Sequence, residues 1–265
     1  MNKLQTIYNY LQYLRQAKSK YYLHSPFVYQ LAEEVIFDKR DYYAFSDINY
    51  VRSQYLQNQQ FIDVKDYGAG SKGTESSNRR KIAEIAKNAA APEKVGQLLF
   101  KLVHYFEPKI LLELGTSLGI GTLYHALALP KSQVYTIEGC PNTAQIAKHT
   151  FDLMKLQNIH TKVGTFDKLL SMTLAEIGRL DYVFIDGNHR KEPTLQYFKR
   201  CLPYIHKDTI MVFDDINWSV EMQEAWEIIK ARPEVTLTID LFRLGIVFFR
   251  KEQAKEHFQL YFKIK

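Results

Sequence analysis

Apolar and polar positions change rhythm twice along this chain. Near its start Leu4, Ile7, Leu11 and Leu14 recur at helical spacing and predict an amphipathic opening helix. Ser25-Pro26 then reads as an N-cap residue with proline at the first helical position, which predicts a helix over 27–38. From residue 109 onward, short apolar runs alternate with helical patterns. Strands are predicted at 110–114, 134–138, 160–164, 182–186 and 209–214, with helices at 119–129, 141–154, 167–177 and 192–205. Repeated β-α-β with apolar strands implies a parallel sheet covered on both faces. After a helix at 220–231 the rhythm changes again. Residues 235–242 and 244–250 alternate as two strands with almost nothing between them, a hairpin that turns the last strand antiparallel. The expected fold class is therefore α/β: a Rossmann-like, mostly parallel sheet with helices on both faces and a helical N-terminal extension.

Composition adds limits to this picture. A chain of 265 residues that is 46% hydrophobic buries a large core without staples. Two cysteines, Cys140 and Cys201, exclude a disulfide framework and a cysteine-rich zinc site. Ten of the 18 tyrosines precede residue 60, which divides the chain into a tyrosine-rich helical lid or extension, 1–85, and a ligand-binding domain, 86–265. The formal charge of +6 gathers at the two ends, in Lys3, Arg15, Lys18 and Lys20, then in Arg250, Lys251, Lys255, Lys263 and Lys265. Such an excess attracts phosphates or simply keeps a protein in solution. The first 30 residues show no apolar leader, and the uncharged run 114–130 is broken by glycines, so a cytoplasmic protein with no membrane span is expected.

Two glycine-bearing stretches invite a nucleotide reading. In Gly68-Ala69-Gly70-Ser71-Lys72-Gly73-Thr74 the lysine precedes the second glycine of the pair, so a phosphate-binding P-loop does not fit. The second stretch, Glu113-Leu114-Gly115-Thr116-Ser117-Leu118-Gly119, lies at a strand end and opens a helix. There Gly115 permits a tight turn, and Gly119 lets backbone approach a ligand without an intervening Cβ. Ser117 stands where the dinucleotide fingerprint has its second glycine. Nineteen residues after Gly119, Glu138 ends the next strand, where a carboxylate can accept both hydroxyls of a ribose.

These residues resemble the first two motifs of the class I S-adenosylmethionine-dependent methyltransferases: Glu113, Gly115 and Gly119 with Thr116 between them, then Glu138. The resemblance covers about residues 86–265 and implies a seven-stranded sheet ending in an antiparallel hairpin. It also implies S-adenosyl-L-methionine as cofactor, with Gly164, Thr165 and Phe166 near its adenine, although the acid expected after Gly164 is Thr165 here. Pro92-Glu93 and Gly96-Gln97-Leu98-Leu99 are similar to the stretch that precedes the first strand in metal-dependent O-methyltransferases acting on catechols and caffeoyl-CoA. In that group the fourth strand ends in a metal-binding Asp, matched by Asp186, which also lies beside the cofactor. The fifth ends in Asp-Asn followed by Trp, matched by Asp214 and Trp218, with Asp215 in place of the Asn. A basic Lys three residues past the fourth-strand Asp is replaced by His189, a candidate general base.

Asp186, Asp214 and Asp215 end neighbouring strands and should converge, and three carboxylates at one place repel unless protons, a basic partner or a cation intervene. All-oxygen ligands suit Mg²⁺, Ca²⁺ or Mn²⁺, which would act as a Lewis acid on a substrate hydroxyl. Alternatively, Asp214 caps the following helix and Asp186 contacts the cofactor or a backbone amide. The expected activity is methylation of a small hydroxylated molecule. RNA is the alternative acceptor, since the resemblance extends to tRNA-modifying members. A cofactor-binding scaffold without catalysis is the second alternative. The N-terminal helical arm offers a contact for a homodimer.

Overall fold

The opening rhythm folds largely as read in a computed structural model that describes residues 3–65, 67, 79–252 and 254–263. Helix α1 (Lys3–Gln16) buries Tyr13, whose hydroxyl donates to the carbonyl of Leu260. Helix α2 (Pro26–Leu31) begins at Ser25, whose Oγ accepts the Val28 N–H at 3.5 Å. It does not stay α-helical to residue 38. The chain widens into a π-helical turn (Ala32–Ile36) and closes with the Phe37 N–H on the Ala32 carbonyl at 2.8 Å, which keeps Ala32, Val35 and Ile36 buried. The Gly68–Gly73 stretch lies outside the described residues.

The chain folds as two compact units, residues 39–177 and residues 1–38 with 178–263. The unit 39–177 starts with α3 (Tyr43–Gln57), the antiparallel pair β1 (Phe61–Asp63) and β2 (Arg79–Lys81), then α4 (Ile82–Asn88) and α5 (Glu93–Phe106). None of these five elements is marked by the rhythm above. On α5, Val95, Leu98, Leu99, Leu102 and Val103 form an apolar face, and Gly96 lets the Tyr124 ring come so close that a Cβ would lie 2.1 Å from it. Next come β3 (Ile110–Leu114), α6 (Ile120–Ala128), β4 (Gln133–Glu138), α7 (Pro141–Leu153), β5 (Ile159–Val163) and α8 (Phe166–Ile177). Strand β4 pairs in parallel with both β3 and β5, so the C-terminal ends of all three strands and the loops after them share one side.

The other unit continues with β6 (Tyr182–Ile185), α9 (Lys191–Cys201), β7 (Ile210–Phe213), α10 (Val220–Ala231), β8 (Leu237–Asp240), β9 (Gly245–Phe248) and β10 (Glu256–Gln259). Its strand order is β10-β8-β9-β7-β6. Strands β6 and β7 are parallel, and β9 runs antiparallel to both β7 and β8, as the hairpin pattern implies. Among the described residues, β3 to β10 make eight strands apart from the β1–β2 pair, not the expected seven. The extra strand is β10, which adds in parallel to β8 and makes β8 an inner strand; β9 already lies between β7 and β8. All residues of β6, β7, β8 and β9 are buried, which accounts for the uninterrupted apolar sequences of β6, β7 and β9; β8 also buries two polar side chains, Thr238 and Asp240. No helix among the described residues is long and apolar enough to cross a membrane.

Candidate functional site

The turn after β3 is built on left-handed backbone: φ is 106° at Gly115, 49° at Ser117 and 83° at Gly119. Its ends are closed by the Gly115 N–H on the Ile137 carbonyl at 3.0 Å and the Gly119 N–H on the Thr116 carbonyl at 2.8 Å. Gly119 opens α6, and the space a Cβ would take there is filled from α7, 2.6 Å from a Phe151 ring carbon and 3.0 Å from the Ala147 Cβ. Its missing side chain thus serves close packing of α6 on α7, where the sequence suggested room for a ligand.

The turn holds Glu138 in place. Its carboxylate accepts the Ser117 N–H at 2.7 Å on one oxygen and the Cys140 N–H at 2.8 Å on the other. With one backbone N–H on each oxygen and the Thr143 hydroxyl nearby, the carboxylate retains acceptor capacity for a ligand hydroxyl. Burial raises its pKa, opposed by the N–H groups of Cys140 and Ser117 and by the Thr143 hydroxyl. Beside it the Tyr67 ring lies on Gly139, where a Cβ would come within 2.7 Å. Tyr67 is 52% exposed, and the chain leading to it is pinned to the start of α7. Lys65 N–H reaches the Cys140 sulfur at 3.4 Å, and Asn142 donates to the Asp63 carbonyl at 2.7 Å.

Glu113 and Thr116 form a separate, inward group. Glu113 is 1% exposed. One of its oxygens accepts the hydroxyls of Thr122 and Thr136, and the other lies 3.4 Å from His125 Nδ1. Thr116 joins through a 2.5 Å hydrogen bond to Thr136. Gly164, at φ 154°, donates its N–H to the Glu138 carbonyl at 2.8 Å and so stays beside the end of β4. The Thr165 carbonyl accepts the N–H groups of Lys168 and Leu169, starting α8, whose first residue, Phe166, is half-buried.

The unit containing β6 and β7 gathers the other predicted residues. Asp186 follows β6, and His189 Nε2 lies 3.5 Å from its Oδ1. Asn188 and His189 both have positive φ, 67° and 28°, and Asn188 donates to the Tyr197 hydroxyl at 3.1 Å. Backbone this costly persists where its surroundings hold it. Asp214 and Asp215 follow β7, and Asp215 is again left-handed at φ 54°, with its N–H on Asp214 Oδ1 at 2.8 Å. Trp218 donates its N–H to the Asp215 carbonyl at 2.9 Å.

A residue the sequence reading passed over organises this cluster. Arg243 Nε and Nη2 donate to Asp214 Oδ1 and Oδ2 at 2.7 and 2.6 Å, and Nε lies 3.4 Å from Asp215 Oδ1. The Asp214 side chain is fully buried and that of Arg243 is 27% exposed. Burial works against the guanidinium charge, but Asp214, then Asp215 and Asp186, outweigh it and lift its pKa above the ordinary arginine value. Burial also pushes the Asp215 carboxyl up to about 6, with the Asp214 charge adding to the rise and Arg243 and His189 opposing it. Register explains the encounter. Because Phe213 pairs with Gly245 across antiparallel strands, counting outward sets Asp215 opposite Arg243. The Ile216 N–H closes the pairing on the Arg243 carbonyl at 3.0 Å.

This donor set does not fit a divalent cation. Both Asp214 oxygens are taken by a group that already carries positive charge. Among the described residues, no group of three or more His, Cys, Asp or Glu is arranged to hold a metal ion. Of the expected set, Asp214 and Asp215 are thus held by an internal cation, Arg243, the basic partner that convergent carboxylates require, and Asp186 adds to the negative charge around it. Capping of the following helix is not the role of Asp214 either, since Ser219 Oγ accepts the Met222 N–H at 3.1 Å at the start of α10. Arg243, Tyr67 and Phe151 are the residues that sequence reasoning missed. Only the first left a signal, in the hairpin register.

A family model described as a methyltransferase domain matches residues 112–216. Over 170 residues the chain is 29% identical to a catechol O-methyltransferase of Niastella koreensis, which covers 61% of this chain and 76% of that protein. Over 135 residues it is 31% identical to a probable O-methyltransferase of Mycobacterium tuberculosis, covering 47% of this chain and 57% of the other. Among solved structures, an SAH-bound methyltransferase of Podospora anserina shares the fold, with a TM-score of 0.59 at 11% identity over 95% of this chain and 97% of that one.

Proposed function

We propose that this chain, which matches a methyltransferase domain model and is similar to O-methyltransferases, is a class I S-adenosylmethionine-dependent methyltransferase that methylates a hydroxyl oxygen of a small molecule. The observation that carries this reading is the His189–Asp186 pair, an imidazole nitrogen 3.5 Å from a carboxylate oxygen, beside Asp214 and Asp215, which Arg243 engages. With the Nε2 hydrogen directed at Asp186, Nδ1 carries the lone pair that accepts the hydroxyl proton, and Asp186 stabilises the imidazolium that results.

The unit 39–177 would bind the cofactor. Glu138, fixed by two backbone N–H groups, would hold the ribose through its remaining acceptor capacity, and Gly164 lies beside it. Tyr67 would wall the nucleoside on the Gly139 side. Glu113 and Thr116 act through others, since their buried hydrogen bonds to Thr122 and Thr136 tie α6 to β4 and so fix the turn. S-adenosylmethionine supplies an electrophilic methyl group. The acceptor oxygen would take that methyl group, with S-adenosylhomocysteine as the leaving group and the hydroxyl proton passing to His189. The rate then depends on in-line positioning and on removal of the hydroxyl proton.

Two measurements test this. Calorimetry should show S-adenosylmethionine binding to the purified chain that Glu138→Ala weakens by about 100-fold, on the order of 3 kcal/mol; no binding by the wild type would overturn the cofactor assignment. Labelled methyl transfer should then be assayed against phenols, catechols and total RNA. Transfer to hydroxylated small molecules that His189→Ala abolishes supports the reading, and transfer to RNA alone defeats it.

A further inference from the structure

We infer that Arg243 is a built-in cation that takes the place of a divalent metal ion among Asp186, Asp214 and Asp215, so that the acceptor hydroxyl is handled without a bound metal. Two observations carry this. The guanidinium holds both oxygens of the fully buried Asp214 and lies 3.4 Å from Asp215, with Asp186 also within its electrostatic reach. It is also anchored where it stands: Phe242 N–H binds Asp240 Oδ1 at 2.7 Å, Asn217 donates to the Phe242 carbonyl at 2.7 Å, and Ile216 N–H binds the Arg243 carbonyl at 3.0 Å. A metal ion could gain Asp214 only by displacing a bidentate, charge-assisted pair on a backbone tied at three points.

The substitution changes the chemistry available. A divalent ion binds a hydroxyl oxygen directly and lowers its pKa. A guanidinium offers hydrogen bonds in a plane and gives up none of its own protons at ordinary pH. Of its five N–H donors, the Nε and one Nη2 donor go to Asp214, and the group is 27% exposed. Its open donors suit an oxygen that acquires negative charge, while proton removal falls to His189. The preferred acceptor is therefore a hydroxyl acidic enough to ionise without a metal, such as a phenol or an enol, and chelating by two adjacent hydroxyls is no advantage. This choice of acceptor rests on the methyltransferase reading above; the metal question does not.

The test needs neither acceptor nor cofactor. The wild-type chain, stripped with a chelator, is titrated with Mn²⁺ and Mg²⁺ by calorimetry, by Mn²⁺ paramagnetic resonance and by thermal unfolding. The expected result is no binding tighter than about 1 mM and no shift in Tm. Arg243→Ala, which frees the carboxylates, should acquire Mn²⁺ binding and a Tm that rises with Mn²⁺, and adding Asp214→Asn should remove both. Stoichiometric Mn²⁺ binding by the wild type overturns the inference, and so does a folded Arg243→Ala that ignores both ions. Should Arg243→Ala not fold, Arg243→Gln is read in the same way, and the wild-type titration decides if neither folds. Failure of S-adenosylmethionine to bind the wild type would count against the cofactor assignment alone.

Discussion

Arg243, in the turn between β8 and β9, grips both carboxylate oxygens of Asp214 at the end of β7, at 2.7 and 2.6 Å. The two residues are 29 positions apart in sequence. Removing either partner leaves a desolvated charge. Asp214→Asn should lower stability by about 2–4 kcal/mol, and Arg243→Met by a similar amount. Combining them should cost clearly less than the sum, because no unpaired charge remains. Denaturant midpoints of the four proteins measure this, and strict additivity would mean that the pair contributes no coupling.

Asp215 supplies a pH signature. Burial and, after it, the Asp214 charge push its carboxyl up to about 6 in the folded chain, against about 3.9 when unfolded. Between those values the folded state holds the proton more tightly, so this group's contribution to stability falls as pH rises from about 4 to about 6 and stays lost above. Asp215→Asn lacks that loss and tolerates the left-handed backbone at φ 54° as well as Asp does. The variant should exceed the wild type in stability by about 1–2 kcal/mol at pH 8, with the gap closing toward pH 4. Urea unfolding across that range reads the slope.

Gly119→Ala should be among the more damaging single changes in the turn. The new methyl would meet Phe151 and Ala147, and φ of 83° disfavours any Cβ. A loss of about 2–4 kcal/mol is expected. Phe151→Leu in the same chain should restore part of it by clearing the ring, but the backbone share should remain. Thermal unfolding of the single and double variants separates the two shares.

Tyr67 gives a test confined to ligand binding. Because the ring is half in solvent, Tyr67→Ala should leave stability within about 0.5 kcal/mol of the wild type, yet weaken S-adenosylmethionine by about 5- to 10-fold, near 1 kcal/mol. Tyr67→Phe should keep most of the affinity. Calorimetry beside unfolding curves decides this, and equal affinity in Tyr67→Ala would remove the residue from the cofactor wall.

Legibility in the sequence followed the range of the interactions. Strands β3 to β7 sit within two residues of their predicted ends because each is a short apolar run bounded by turn residues, a local pattern. Helix α3 hides its period behind tyrosines on more than one face, and α4 spans only seven residues, whereas α5 carries a plain helical spacing at Val95, Leu98, Leu99, Leu102 and Val103 that the strand-centred reading passes over. Strand β10, with Glu256, His257 and Gln259, carries no alternation at all and exists because β8 has an edge to pair with. In the site, Gly115, Glu138 and Asp186 declare themselves by standing at strand ends. Arg243 reads as one basic residue in a tight turn, and only antiparallel register shows that the turn arrives beside Asp214. At Gly119 the absent Cβ makes way for Phe151 and Ala147, since a glycine signals that something approaches and does not say what.

Strand β10 also changes what the molecule exposes. Strand β8 reads Leu-Thr-Ile-Asp, and all four residues are buried. Beyond it the Lys18 N–H meets the Gln259 carbonyl at 2.8 Å and the Tyr261 N–H meets the Lys18 carbonyl at 3.2 Å, which prolongs the seam next to β10. A chain shortened to end before residue 254 would leave a row of unsatisfied amides and carbonyls along β8, a template on which other copies can assemble. The polar strip of residues 256–259 therefore acts as a selvedge, the finished border that keeps a woven edge from catching on its neighbours.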